Sequence, residues 1–343
     1  MTPIDFRDID QNRKGALWGL YIGDALAMPV HWYYNRKALD DDYGWVTGYL
    51  APKNPHPDSI LFRSSCTATG PRGEILHDQA PYWGREGTHY HYHQFLKAGE
   101  NTLNLNLCSL LIQSLNECGG YDAEDYLRRY IAFMTTPGSH RDTYIEECHR
   151  NFFANYAKGV PPRQCGAVEK HIGGLPGIVP IVVYYHAQPD RAREAALEHL
   201  ALTHPGGKMR SAGALLVELL ISVLAGERLT AAIRRMLREQ KYPFVGHPFE
   251  KLLGDPDDWV IGPRFSTACY VEHSVPVVLY LAFKYSNDPE KALVVNTNLG
   301  GDNVYRGAVL GALLGAENGL DYFPRRWVKG LLNPPPEIRP PAV

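Results

Sequence analysis

The stretch VVNTNLGGDNVYRGAVLGALLGAENG, residues 294–319, sets a Gly-Gly-Asp turn before an almost chargeless run with glycine or alanine at every fourth place. Gly307, Gly311 and Gly315 fall four apart, with Ala308, Ala312 and Ala316 beside them, so a helix here carries a stripe without side chains. RKGALWGLYIGDALA, residues 13–27, repeats the device with Gly15, Gly19 and Gly23. Glycine inside a helix costs up to about 1 kcal/mol relative to alanine, so such rows need compensation from close backbone approach. The rows therefore predict that the first and last long helices lie at the centre, against each other or against a common partner. Small-xxx-small rows also pair helices in membranes. Here Asp24, Arg306 and Glu317 interrupt the apolar runs, which assigns the rows to a soluble core.

Helical spacing of apolar residues extends over 102–118, 122–134, 191–203, 208–226, 229–240, 268–286, 289–296 and 304–317, and no convincing alternating strand accompanies it. Asp122 reads as a helix cap, Pro189 as a turn before the next helix, and Asp288-Pro289-Glu290 as a cap, first-turn proline and N-terminal acid. The expected fold is all-α, a compact multi-helix bundle. Two long aromatic, proline-rich stretches interrupt it, 32–98 and 241–266, and loops of that length are usually functional or well-packed lids. No composition shift marks a linker. The expectation is one domain over 1–333, a lid-like insert over about 32–98, and a Pro-rich tail over 334–343 that frays or lies along the surface.

A chain of 343 residues with 45% hydrophobic content can bury a large core. Its formal charge of −2, with basic and acidic residues well mixed, gives no basic face for nucleic acid. No run reaches the roughly 18 apolar residues of a membrane span, and the start shows no apolar run of secretory type. A cytoplasmic protein is expected, with neither nucleic acid nor membrane as partner. The six cysteines are scattered without metal-ligand spacing, and most of them read as plain buried thiols.

GALWGLYIGDALAMPVHW (15–32) resembles the opening motif of the ADP-ribosylglycohydrolase family, GxxxGxxxGDALGxPxE, and NLGGDNVYRGAVLGALLGAENG (298–319) its closing motif, GGDTDTxAxxxGAxxGAxxG. Between them AGENTLNLNLCSLLIQSL (98–115) stands where the family has TDDTQMALALAESL. HIGGLPGIVPIVVYY (171–185) and LTHPGGKMRSAGALLVELL (202–220) are similar to two further family stretches. The resemblance implies an orthogonal all-helical bundle whose cleft holds two Mg²⁺ or Mn²⁺ ions and hydrolyses the bond between an ADP-ribosyl group and a protein side chain or small molecule. Mapped by position, the acids of TDDT become Gly99-Glu100-Asn101-Thr102, and those of DTDT become Asp302-Asn303-Val304-Tyr305. Two divalent ions bring about +4, and two carboxylates leave roughly +2 uncompensated in a partly dry cleft. Two metals are therefore not expected. At most one divalent cation, Mg or Mn, is implied on Glu100, Asn101, Thr102, Asp302 and Asn303, with no organic cofactor.

The glutamate that closes the family's opening motif corresponds to His31, which can serve as a general base near neutral pH. His31, Glu100 and Asp302 are thus the candidate catalytic residues. Gly173 and Gly174, His204 before its helix, and Trp83 in the aromatic insert are the candidate substrate-binding residues. His89, His91 and His93 alternate, and an extended chain would place them on one face as ligands for a transition metal. Asp142, Glu146 and His149 have helical spacing and read as a solvated or salt-bridged face. The functional expectation is a hydrolase of N- or O-ribosyl bonds in an ADP-ribosyl or nucleotide-like substrate, with a metal-poor site. Its rivals are a non-catalytic binding or crystallin-like member of the fold, and a small-molecule hydrolase with a His-rich metal site. The oligomeric state is unknown from sequence.

Overall fold

The two glycine rows face each other across an antiparallel helix pair, Ile9–Ala27 against Asn303–Asn318, with Gly15 opposite Gly315, Gly19 opposite Gly311 and Gly23 opposite Gly307. A methyl carbon added at Gly307 would sit 2.7 Å from the Gly23 carbonyl oxygen, and those added at the other five would sit closer still to the carbonyl opposite. The backbones therefore touch directly, which is the compensation that the glycines require. Both helices are buried almost throughout.

The structure is a computed structural model that describes residues 9–68 and 70–339. Fifteen α-helices run in order among them: α1 (Ile9–Ala27), α2 (Arg36–Tyr43), α3 (Leu103–Cys118), α4 (Ala123–Thr135), α5 (Glu147–Ala157), α6 (Val179–Tyr184), α7 (Pro189–Thr203) and α8 (Gly207–Leu224). They continue as α9 (Leu229–Glu239), α10 (Phe249–Leu252), α11 (Asp257–Val260), α12 (Val271–Lys284), α13 (Pro289–Asn298), α14 (Asn303–Asn318) and α15 (Arg325–Gly330). The described residues contain no strand, only the isolated bridges His171 to Tyr270 and Ile261 to Phe265. The all-α expectation is met. Around the central pair stand α6, α8, α12 and α13, with α3, α4 and α7 outside them.

Local chemistry explains the helix starts. Asp122 accepts from the backbone N–H groups of Glu124 (2.9 Å) and Asp125 (3.1 Å), and Asp288 from that of Lys291 (3.0 Å). Pro189 does not form a turn ahead of α7; it is the first residue of the helix, where its missing N–H is harmless. Residues 32–98 are less irregular than their prolines suggest, since Asn35 caps α2 within them. The Pro-rich tail is held as far as Arg339, because the Asn116 side chain bonds the Glu337 carbonyl (2.8 Å) and the Arg339 N–H (2.9 Å). Its last four residues and residues 1–8 lie outside the described residues.

Asp24 joins the centre to the next layer. Fully buried, it accepts from the Thr102 N–H (2.9 Å), the Thr102 hydroxyl (2.7 Å) and the Asn101 amide (2.8 Å), tying α1 to the start of α3. Gly19→Ala or Gly311→Ala should lower unfolding free energy by about 3 kcal/mol, the upper range for overpacking. Gly48→Ala, where an added carbon meets nothing within 4 Å, should be nearly neutral by urea titration.

Candidate functional site

The turn before α14 positions the site. Gly300 and Gly301 both take positive φ (67° and 66°), and Gly301 pairs with the loop after α1, accepting from Trp32 N–H (2.9 Å) and donating to the Tyr33 carbonyl (2.7 Å). This brings Asp302 beside His31. Asp302 makes no side-chain cap bond to its own helix, and its Oδ1 lies 3.3 Å from His31 Nε2. From there the contacts continue: His31 Nδ1 to His93 Nε2 at 2.7 Å, and His93 Nδ1 to Asp142 Oδ1 at 2.6 Å. Asp142 Oδ2 accepts from the Leu103 N–H at the start of α3 (2.9 Å). All four side chains are buried.

Three hydrogen bonds in series hold three protons, and each proton can sit at either end of its bond. Successive hops along the row can therefore empty or fill Asp302 from behind. Burial raises the Asp302 carboxyl to about 6 against the pull of the Arg306 and His171 charges. Burial, and then His93, holds the His31 imidazole well below its ordinary value. Arg306 is itself fully buried and donates to the carbonyls of Thr267 (3.0 Å) and Gly300 (2.6 Å).

Beside this row of side chains opens a cavity of about 390 Å³; Asp302 is buried behind its wall rather than on it. Its aromatic wall includes Trp32, Tyr92 and Tyr144, whose rings meet edge to face at centroid distances of 4.5, 4.8 and 5.4 Å. Trp32 takes φ of 63°, a left-handed conformation that bulky residues avoid, and stacks on His31 at 3.9 Å. Glu146 lines the cavity, and burial raises its carboxyl to about 8 even though Asn104 donates to it at 2.7 Å; the charge of Asp302 adds to the rise. Gly173 makes room for this carboxylate, since an added carbon would stand 2.5 Å from Glu146 Oε2. Burial pulls the His171 imidazole down, but its bonds to the Cys269 thiol and the Glu169 carboxylate outweigh this and hold it up at about 11. Tyr34, Glu146, His171 and Cys269 all line the cavity and all feel the Asp302 charge.

Comparison with known proteins places this architecture. A family model described as ADP-ribosylglycohydrolase matches residues 7–340. The chain belongs to the ADP-ribosylglycohydrolase family. A solved structure named "ADP-ribosylglycohydrolase-related protein complex" superposes with a TM-score of 0.59 over 95% of this chain and 94% of that one, at 23% identity, which establishes a shared fold. No curated protein matches the chain. The family is a generally hydrolytic one that acts on ADP-ribosylated substrates, so a glycohydrolase-like function is supported. Among the described residues no helix is long and apolar enough to cross a membrane.

Against the family pattern, the structure brings together only part of the expected site. His31 and Asp302 meet. Glu100 does not join them: its carboxylate is taken by Arg141 (2.6 and 2.7 Å) and the Lys97 N–H (2.9 Å). Asn101 and Thr102 serve Asp24, and the Asn303 amide donates to the carbonyls of Thr297 (2.8 Å) and Val30 (3.3 Å). His204 and Gly174 line a separate cavity of about 40 Å³ with His149 and His199. Trp83 lies behind Tyr144, stacked at 5.7 Å, and donates to the Thr143 carbonyl (3.0 Å). His89, His91 and His93 do not converge, because a turn begins after His91: His89 is exposed, His91 bonds the Pro29 carbonyl (3.0 Å), and His93 enters the relay. Asp142, Glu146 and His149 are not a solvated helical face, since all three are buried and α5 starts only at Glu147. They were missed as site residues because spacing alone cannot show burial.

The mapped donors do not fit a divalent ion as a set. Asp302 Oδ2 and the side-chain oxygens of Asn101 and Asn303 face no donor, but Glu100 is paired elsewhere, Val304 is apolar and the cationic Arg306 adjoins Asp302. Two other groups have ligand atoms within 4.8 Å of one another: Glu146, Cys148 and His149, and Glu147, Glu169 and His171. The chain thus carries candidate metal donors, away from the inherited positions.

Burial holds His149, His199 and His204 down to about 3. Such groups stay neutral when folded but bind a proton near pH 6.5 once unfolded, so stability present above pH 6.5 is lost as pH falls. His199→Gln should therefore reduce the loss between pH 6 and 5 by about 1 kcal/mol. Denaturant midpoints across that interval would show it.

Proposed function

We propose that the protein is a hydrolase of N- or O-ribosyl bonds whose acid and base are carboxyl groups of its own chain. The observation that carries this reading is a pair of buried carboxyls, Glu146 on the cavity wall and Asp302 behind that wall and near enough for its charge to act on Glu146, with Asp302 raised to about 6 and Glu146 to about 8. Near neutral pH the first is mostly ionised and the second mostly protonated, the division that general acid–base catalysis requires. Asp302 Oδ2 is buried without a hydrogen-bond partner of its own, and a water admitted from the neighbouring cavity would satisfy it. The water oxygen adds to the anomeric carbon while its proton passes to Asp302. The bond from that carbon to the leaving atom breaks, and the leaving atom takes the proton of Glu146. The row through His31 and His93 can carry the proton that Asp302 gains toward Asp142 and so restore the base, and Trp32 fixes the His31 ring by stacking. No step runs through a metal, since the inherited donor set does not fit one.

A second reading, a binding protein without catalysis, is favoured by Val304 in an acid's place and by the diversion of Glu100 to Arg141. It expects ligand binding with no turnover.

The pH profile of kcat/KM should be bell-shaped with limbs near 6 and 8. Below the first, Asp302 is protonated and the base is lost; above the second, Glu146 is ionised and the acid is lost. Glu146→Gln should lower kcat at least about 100-fold and abolish the alkaline limb, and Asp302→Asn should do the same to the acid limb. His93→Gln should lower kcat with little change in KM, whereas Glu100→Ala should stay within a few-fold of the parent. Full activity in Asp302→Asn, measured on a panel of ribosides and ADP-ribosyl compounds, would overturn the assignment.

A further inference from the structure

We infer that the cavity takes a phosphate-free riboside of nucleoside size rather than a ligand carrying a diphosphate. The sugar in this statement rests on the ribosyl-hydrolase reading above; the exclusion of phosphate stands on the cavity itself. No Lys or Arg is among the residues that line it, while Asp58, Glu146 and Glu147 are. The one lining side chain that carries positive charge, His171, is held by Glu169. The N-terminal end of α5 would attract an anion through its free N–H groups, but Glu146 and Glu147 stand there and place carboxyl groups at that end. Asp58 is anchored on the rim by the N–H groups of Tyr34 and Asn35, both 2.8 Å away.

Three basic residues near the cavity are committed elsewhere, and the exposed Arg63, next to the lining Ser64, sits over the Phe62 ring at 5.2 Å. Arg150 donates to the Ser65 (2.5 Å) and Ile145 (3.1 Å) carbonyls, Lys170 sits over the Tyr270 ring at 4.4 Å with Glu272 at 3.9 Å, and Arg141 holds Glu100. Arg306 is buried beneath, bound to backbone carbonyls. A diphosphate would bring about two negative charges among carboxyl groups with no fork of donors to receive them. Against this, the orthogonal rings of Trp32, Tyr92 and Tyr144 offer apolar surface for a planar base without demanding charge. The volume agrees: about 390 Å³ lies at the small end of ligand pockets, roughly 300–1,000 Å³, and suits one ring and one sugar.

The test is calorimetric titration of the full chain with adenosine, inosine and uridine, their 5′-monophosphates, and ADP-ribose. At least one nucleoside should bind at least about tenfold more tightly than its own monophosphate and than ADP-ribose. Glu147→Lys should shift the ratio of monophosphate to nucleoside affinity about tenfold toward the monophosphate. Binding of ADP-ribose or a monophosphate as tight as that of every parent nucleoside would overturn the inference, and so would failure of all three nucleosides to bind. Turnover separates the two readings. Tight binding and cleavage of an ADP-ribosyl compound sinks the phosphate exclusion and keeps the hydrolase, whereas nucleoside binding without cleavage keeps the exclusion and sinks the hydrolase.

Discussion

The contact on which the rest of the structure depends is backbone against backbone, between the glycine rows of α1 and α14. Glycine is a poor helix former, so the rows are tolerable only while the two helices lie in direct contact. That contact fixes their axial register, because each glycine must meet its own partner. The functional consequence lies at one end of the pair. The C-terminal end of α1 leads to His31, the N-terminal end of α14 begins after Asp302, and antiparallel packing places the two ends together.

Around that junction the chain solves a charge problem without the inherited acids. Two carboxylates of the closing motif have been reduced to Asp302, and the buried Arg306 supplies a compensating positive charge four residues later. Further compensation runs through imidazoles: His31 and His93 spread the charge of Asp302 toward Asp142, which the start of α3 stabilises through the Leu103 N–H. Buried charge is costly unless paired and hydrogen-bonded, and both carboxyl groups of this row meet an imidazole. The strained backbone at Trp32 belongs to the same economy, since its ring covers His31 while its edge builds the cavity wall.

Much of the fold was legible beforehand for identifiable reasons. Helices such as Gly207–Leu224 and Val271–Lys284 announce themselves through apolar spacing, and Asp122 and Asp288 through side chains that reach only their own helix ends. The site was legible in part. His31 and Asp302 could be named because each adjoins a glycine row whose place in the fold was readable. The place of Glu100 is not legible, because its partner, Arg141, is 41 residues away and no local pattern announces the pairing. Asp142 and Glu146 carry the spacing of a helical face with His149, but the segment is not helical until Glu147, and spacing does not show burial.

The sequence by itself determined the helical class, the two central helices and the residues at their meeting point. These follow from local propensity, periodicity and the steric demand of glycine, which act within a few turns of chain. Only the tertiary structure decided which carboxyl groups line the cavity and which lies behind it, which histidines form the relay and which cations remain for a ligand. Those depend on burial and on partners distant in sequence: Asp302 lies 271 residues from His31, and His93 lies 49 from Asp142. The chemistry of a carboxyl or an imidazole is set by the dielectric and the neighbours around it, and neither is written in its spacing along the chain.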